Sequence, residues 1–187
     1  MKPSKIYALA SLSIFLCTAF VFYPGFVPKK IIADKKKSEI SYTMVHPLHE
    51  WTGKSHEVNC ALIYNADENK IETVAVSMLL ATFDSKNSNR DSHALETLDA
   101  IKYPLVKLTS SSIAQQGNEL TINANLTFHN VTKPITVKAT RSDEKNKIVV
   151  DGNFVVNITD YQIEVPSIMG LKTNEEITIG FKIIFPL

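Results

Sequence analysis

Asn89-Arg90-Asp91-Ser92-His93 puts a guanidinium, a carboxylate, a hydroxyl and an imidazole within five residues. Arg90, Asp91 and His93 are the candidates for gripping a polar group at the mouth of a cavity. The same residue types also suit a helix start. Ser88 with Asp91 three residues on offers acceptors for backbone N–H groups that have no partner inside the helix. On that reading Arg90 pairs with a carboxylate while Asp91 and His93 cap and orient the helix, and this structural role is the preferred one. Asp91 with His93 is also the one acid–base pair the chain offers for catalysis. Beyond it there is no G-x-S-x-G elbow, no H-E-x-x-H and no P-loop, so the expectation is a protein that is not an enzyme.

His46, His49 and His56 are the remaining candidates for metal ligation. Pro47 breaks any regular helix through His46 and His49, and no third ligand follows at a motif spacing, so no metal is expected. His129 lies in a turn. Cys60 alternates with Val58 and Leu62 and reads as a small buried hydrophobe rather than a nucleophile. Asn125, Asn130 and Asn157 open N-x-T triplets, idle in a bacterial protein. A formal net charge of +1 argues against a nucleic-acid role, since phosphate binding needs a concentrated basic face.

These residues sit in two regions. Residues 1–37 combine Lys2 and Lys5, an apolar run from Ile6 to about Val27, and a basic tether of Lys29, Lys30, Lys35, Lys36 and Lys37. The segment reads as a secretory signal or a single helical membrane anchor; either puts the body on the far side of a membrane. Cys17 lacks the small preceding residue of a lipoprotein signal, and Ala19 is the best small-residue position for cleavage. The tether lysines read as a solvated linker rather than a headgroup contact.

Residues 38–187 are the size of one domain with its own core. Strand patterns recur over residues 39–45, 55–64, 73–83, 105–113, 120–128, 135–139, 147–156 and 177–185. Leu120, Ile122, Ala124, Leu126 and Phe128 share one face, and Ile177, Ile179, Phe181, Ile183 and Phe185 another. Between the third and fourth strands, Ala94, Leu95, Leu98 and Ile101 recur at helical spacing, and Tyr103-Pro104 ends the helix. Eight mostly antiparallel strands with one apolar face each predict an all-β barrel or sandwich, the helix covering its open mouth. Trp51, Phe83, Leu95, Leu98, Phe128, Phe154 and Phe181 either pack that interior or line a tunnel for a long apolar chain. The residues alone leave both readings open.

Three blocks then carry a resemblance over roughly Ile40 to Phe185. Asn89 to Leu95 with Lys102-Tyr103-Pro104, Leu126 to Ile135, and Ile158 to Ile163 with Pro166 resemble the YceI family. What the resemblance implies is an extended, eight-stranded, lipocalin-like antiparallel β-barrel that holds a polyisoprenoid chain in the periplasm or outside the cell. It tilts the seven apolar residues toward the tunnel. The chain departs from the family pattern at Leu98, Ala100 and Ile101, where a Phe pair is usual; at Asn130 and Gln162, where Gly is usual; and at Ile158, where Arg is frequent. The expectation is a non-catalytic carrier with no cofactor beyond a bound isoprenoid or other long-chain lipid. Partner expectations are that lipid, a membrane near the N-terminal segment, and a homodimer. The alternative is an exported interaction module with a solidly packed barrel.

Overall fold

The computed structural model describes residues 28–168 and 170–187; the apolar leader, with Lys2, Lys5, Cys17 and Ala19, lies outside them. In chain order the strands are β1 (Lys29–Ile32), β2 (Glu39–His46), β3 (His49–Ser55), β4 (Asn59–Asn65) and β5 (Lys70–Leu79). Helix α1 (Ser88–Thr97) follows, then β6 (Leu105–Gln116), β7 (Glu119–Phe128), β8 (Val131–Glu144) and β9 (Lys147–Asn157). A two-strand hairpin of β10 (Ser167–Ile168) and β11 (Leu171–Lys172) precedes β12 (Glu176–Pro186).

Ten strands form one antiparallel sheet in the order β1-β4-β5-β6-β7-β8-β9-β12-β2-β3, curled into a half-barrel. Its edges are β1 and β3. Counting antiparallel steps around the sheet, β3 and β4 run in the same direction, joined by His56, Glu57 and Val58. The chain thus leaves one edge of the sheet and re-enters beside the other. Lys54 and Asp84 exchange backbone hydrogen bonds of 3.0 and 2.9 Å across this seam, and the Asp34 N–H donates to the Ile184 carbonyl at 2.8 Å. Edges tied in this way are less available to a second chain.

Ten strands replace the expected eight. The Ser55–Tyr64 pattern spans the seam: Ser55 ends β3, and β4 begins only at Asn59. β3 itself carries no apolar alternation, because it is half covered and has Gly53 where an inward side chain would stand. β1 falls inside the lysine tether: Lys29 and Lys30 pair with Tyr64 and Ile63, and Ile31 alone of the four residues is buried. The sheet therefore begins ahead of residue 38.

Alternation fixes the interior. Leu120, Ile122, Ala124, Leu126 and Phe128 are all buried. On β8, Ile135, Val137 and Ala139 share the inward face, and that face ends with Arg141. The other face of β12 is covered locally. Ile184 lies under the segment between β1 and β2, where the buried Ser38 Oγ accepts its N–H at 3.0 Å.

Helix α1 starts one residue away from the expected cap: Asn87 Oδ1, not Ser88, accepts the Arg90 N–H, at 3.1 Å. The helix stops at Thr97, and Ile101, expected on its apolar face, is fully exposed beyond it. Asn130 and Gln162 have φ of 61° and 59°, the left-handed backbone for which Gly is preferred. His129, at φ 47°, makes the other half of the tight turn between β7 and β8.

Candidate ligand cavity and its mouth

The sheet encloses a cavity of about 250 Å³ walled by β2, β4 to β9 and β12. Ile71 and Leu120 line its lower end, Leu80 and Phe128 its upper end. Eight residue steps along β7 cover about 27 Å at the usual rise, or about 20 Å of depth once barrel strand tilt is allowed for. The walls are aliphatic and aromatic nearly throughout. A cavity of this size lies between these walls, so side chains do not fill the interior completely.

Arg141 closes the floor. Its inward side chain is 3% exposed and grips Asp143 through two bonds of 2.8 Å, Nε to Oδ1 and Nη2 to Oδ2. Nη1 donates to the Asn69 carbonyl at 2.7 Å and to Gln115 Oε1 at 3.2 Å, and the guanidinium lies 5.6 Å from the Tyr64 ring. One cation thereby ties together the β4–β5, β6–β7 and β8–β9 turns. The alternation on β8 reaches Arg141, but an arginine ending an apolar face reads in sequence as a solvated strand end.

Helix α1 covers the mouth with Leu95 and, at its C-cap, Leu98, which line the cavity beside Asp91. The Asp91 carboxylate accepts the Ser85 N–H at 3.1 and 3.3 Å, holding the loop before the helix against the helix itself. Tyr42 and Phe83 meet edge to face at 5.5 Å on the same wall. Tyr42 owes its place to Gly53, its register partner, where a Cβ would stand 2.3 Å from the ring. Burial first, then the Asp91 charge, pushes the Tyr42 phenol above its ordinary range, so it stays protonated. Cys60 lines the cavity, and burial pushes its thiol up to about 12. The thiol therefore stays protonated and is not an activated nucleophile.

Six of the seven expected tunnel residues line the cavity: Phe83, Leu95, Leu98, Phe128, Phe154 and Phe181. Trp51 does not. It is half-buried on β3 with the Arg90 guanidinium 5.0 Å over its ring, joining the helix start to the sheet edge. Of the three mouth candidates, Asp91 alone lines the cavity. Arg90 spends its charge on Trp51 and the Ser85 carbonyl. His93 is 81% exposed, its Nδ1 3.3 Å from Glu96, so Asp91 and His93 do not form an acid–base pair. Tyr42, Met78 and Leu80 are lining residues that the strand patterns did not single out.

The other histidines separate too. Buried His46 accepts the Leu48 N–H at Nδ1 (3.2 Å) and reaches the Leu171 carbonyl at 3.3 Å, joining the β2–β3 tip to β11. His56 donates Nδ1–H to the Ser38 carbonyl at 2.8 Å. His129 donates to the Tyr161 carbonyl at 3.1 Å with its ring against Tyr103. Among the described residues no three potential ligands converge on a metal position. The Asn157 side chain is occupied in capping Thr159.

The chain is similar to solved structures of this architecture. Burkholderia cenocepacia BcnA superposes with a TM-score of 0.73 at 18% identity, over 81% of this chain and 98% of that one. A polyisoprenoid binding domain from Saccharophagus degradans gives 0.65 at 12% identity, over 83% and 97%. In sequence, a UPF0312 protein of Pseudomonas savastanoi pv. phaseolicola is 27% identical over 143 residues, 71% of each chain. Protein YceI of Salmonella newport is 27% identical over 113 residues, and the match spans 59% of that protein's own length. The YceI-like domain model matches residues 32–185, nearly all of the curled sheet and its cavity, and the chain belongs to the YceI family.

Proposed function

We propose that this protein binds and carries, or sequesters, a long apolar lipid of the polyisoprenoid class in its interior, without chemical turnover. The observation that carries the reading is the cavity: deep, narrow, walled by apolar side chains and covered by one short helix. Each CH₂ moved from water to such a wall contributes on the order of 0.8 kcal/mol, so a long chain needs few polar contacts to bind. The Saccharophagus degradans relative, a polyisoprenoid binding domain with the same fold, supports the ligand class. The apolar leader of residues 6–27 supports an exported protein, periplasmic or secreted, acting next to a membrane.

The test is native mass spectrometry of the full chain purified from its own host, followed by organic extraction. An adduct that extracts as a long hydrocarbon chain is the expected result. A bare polypeptide mass that stays unchanged after exposure to isoprenoid lipids would overturn the proposal.

A further inference from the structure

We infer that the mouth selects by headgroup charge: the cavity takes a long-chain alcohol in preference to the phosphate ester of the same chain, with Asp91 setting the preference. This rests on the lipid-binding reading and adds what the ligand's polar end must be. Among the described residues lining the cavity Asp91 alone carries a charge; no lysine, arginine or histidine is one of them. The cations nearby are already engaged. Arg90 lies over Trp51, Lys86 Nζ is 2.6 Å from Asp84, Lys102 sits 4.9 Å over the Tyr103 ring, and Arg141 at the floor is held by Asp143. At the start of α1 the Arg90 N–H is already taken by Asn87 Oδ1 and the Asp91 N–H by the Asn87 carbonyl.

A chain that enters tail first leaves its head beside Asp91. A phosphate there would give up water while facing a carboxylate, with no cation lining the cavity to replace that water; like charges at one site disfavour each other's ionised form. A hydroxyl meets complementary chemistry. It donates to the Asp91 carboxylate, whose oxygens have acceptor capacity beyond the Ser85 N–H. The Tyr42 phenol on the same wall is a second polar neighbour and stays neutral. Asp91 is therefore the specificity-determining residue. Its bond to the Ser85 N–H keeps it in position and does not cancel its charge.

The experiment loads the full chain with the neutral dye Nile red and displaces it with phytol, phytyl phosphate or the hydrocarbon phytane, each delivered from cyclodextrin. On the wild type, phytol should half-displace the dye at a concentration at least about tenfold below phytyl phosphate. In Asp91→Asn, which keeps an oxygen for the Ser85 N–H and loses the charge, the gap should shrink because phytyl phosphate improves while phytane is unchanged. Phytyl phosphate binding the wild type as well as phytol, or an equal gap in Asp91→Asn, would overturn the charge selection and leave the apolar cavity standing. A protein that takes up neither dye nor phytane overturns the lipid-binding reading and this inference with it. The wild-type comparison decides even if the variant folds poorly.

Discussion

Cys60 reports on how dry the interior is. Its thiol titrates at 9.0 in an ordinary setting and is pushed by burial to about 12 in the folded chain. The neutral thiol is thus favoured by folding, a contribution fully present below 9.0 and lost as pH rises toward about 12. Denaturant unfolding from pH 8 to 11 should therefore lose stability faster in the wild type than in Cys60→Ala. Parallel curves would place water or a compensating charge at the cavity wall. Arg141 is the opposite case, a charge kept inside because every direction around it is satisfied. Arg141→Met leaves the Asn69 carbonyl and Asp143 without their donor and should lower stability by about 2–3 kcal/mol, read from the denaturation midpoint. A loss within about 0.5 kcal/mol would mean the three turns hold themselves. At this scale the sequence was legible where side-chain type decides the role, as for Cys60. It was silent where a neighbour decides it: Tyr42 enters the wall because Gly53, eleven positions along the chain, stands opposite it in the register, which neither residue's own pattern shows.

Among the elements, the strands with two different faces were readable and the edges were not. β7 and β12 alternate because one side meets the cavity and the other meets water or a covering segment. β1 and β3 lie at the seam, where packing is one-sided and partial, so a lysine pair or a glycine costs little there and the apolar pattern dissolves. The turns kept their geometry through a change of residue: Asn130 and Gln162 hold the left-handed backbone that glycine otherwise supplies. The helix was readable from Leu95 and Leu98, although its cap lay one residue earlier than Ser88. No residue of α1 is fully buried, so the helix rests on few contacts and on its cap. Asn87→Ala should cost about 1 kcal/mol, concentrated in the helix. The check is amide hydrogen exchange: α1 should lose protection while β7 and β9 keep theirs. Uniform loss across all three would mean the helix is not a separately opening lid.

At the scale of the whole molecule, an apolar cavity is a liability that a ligand removes. Void-lining side chains lack partners on one side, and a guest chain supplies them. Stability should therefore rise with bound ligand as the logarithm of its concentration, by about 2.7 kcal/mol at a hundredfold excess over Kd. A variant that fills the void from within separates this effect from surface adsorption. Val76 stands midway along β5, paired with Cys60 on one side and Leu108 on the other, all three lining the cavity. Val76→Phe projects a ring across the space a chain would occupy. Its ligand-free form should be as stable as the wild type or more so, by up to about 1 kcal/mol, since cavity filling commonly adds stability. Adding phytol should then raise the wild-type unfolding midpoint and leave that of Val76→Phe where it was. If both midpoints rise equally, the lipid is binding outside the barrel, and the apolar interior is a packing defect rather than a site. If the variant alone loses the shift while remaining folded, the void between β5 and β12 is what the molecule is built to keep open.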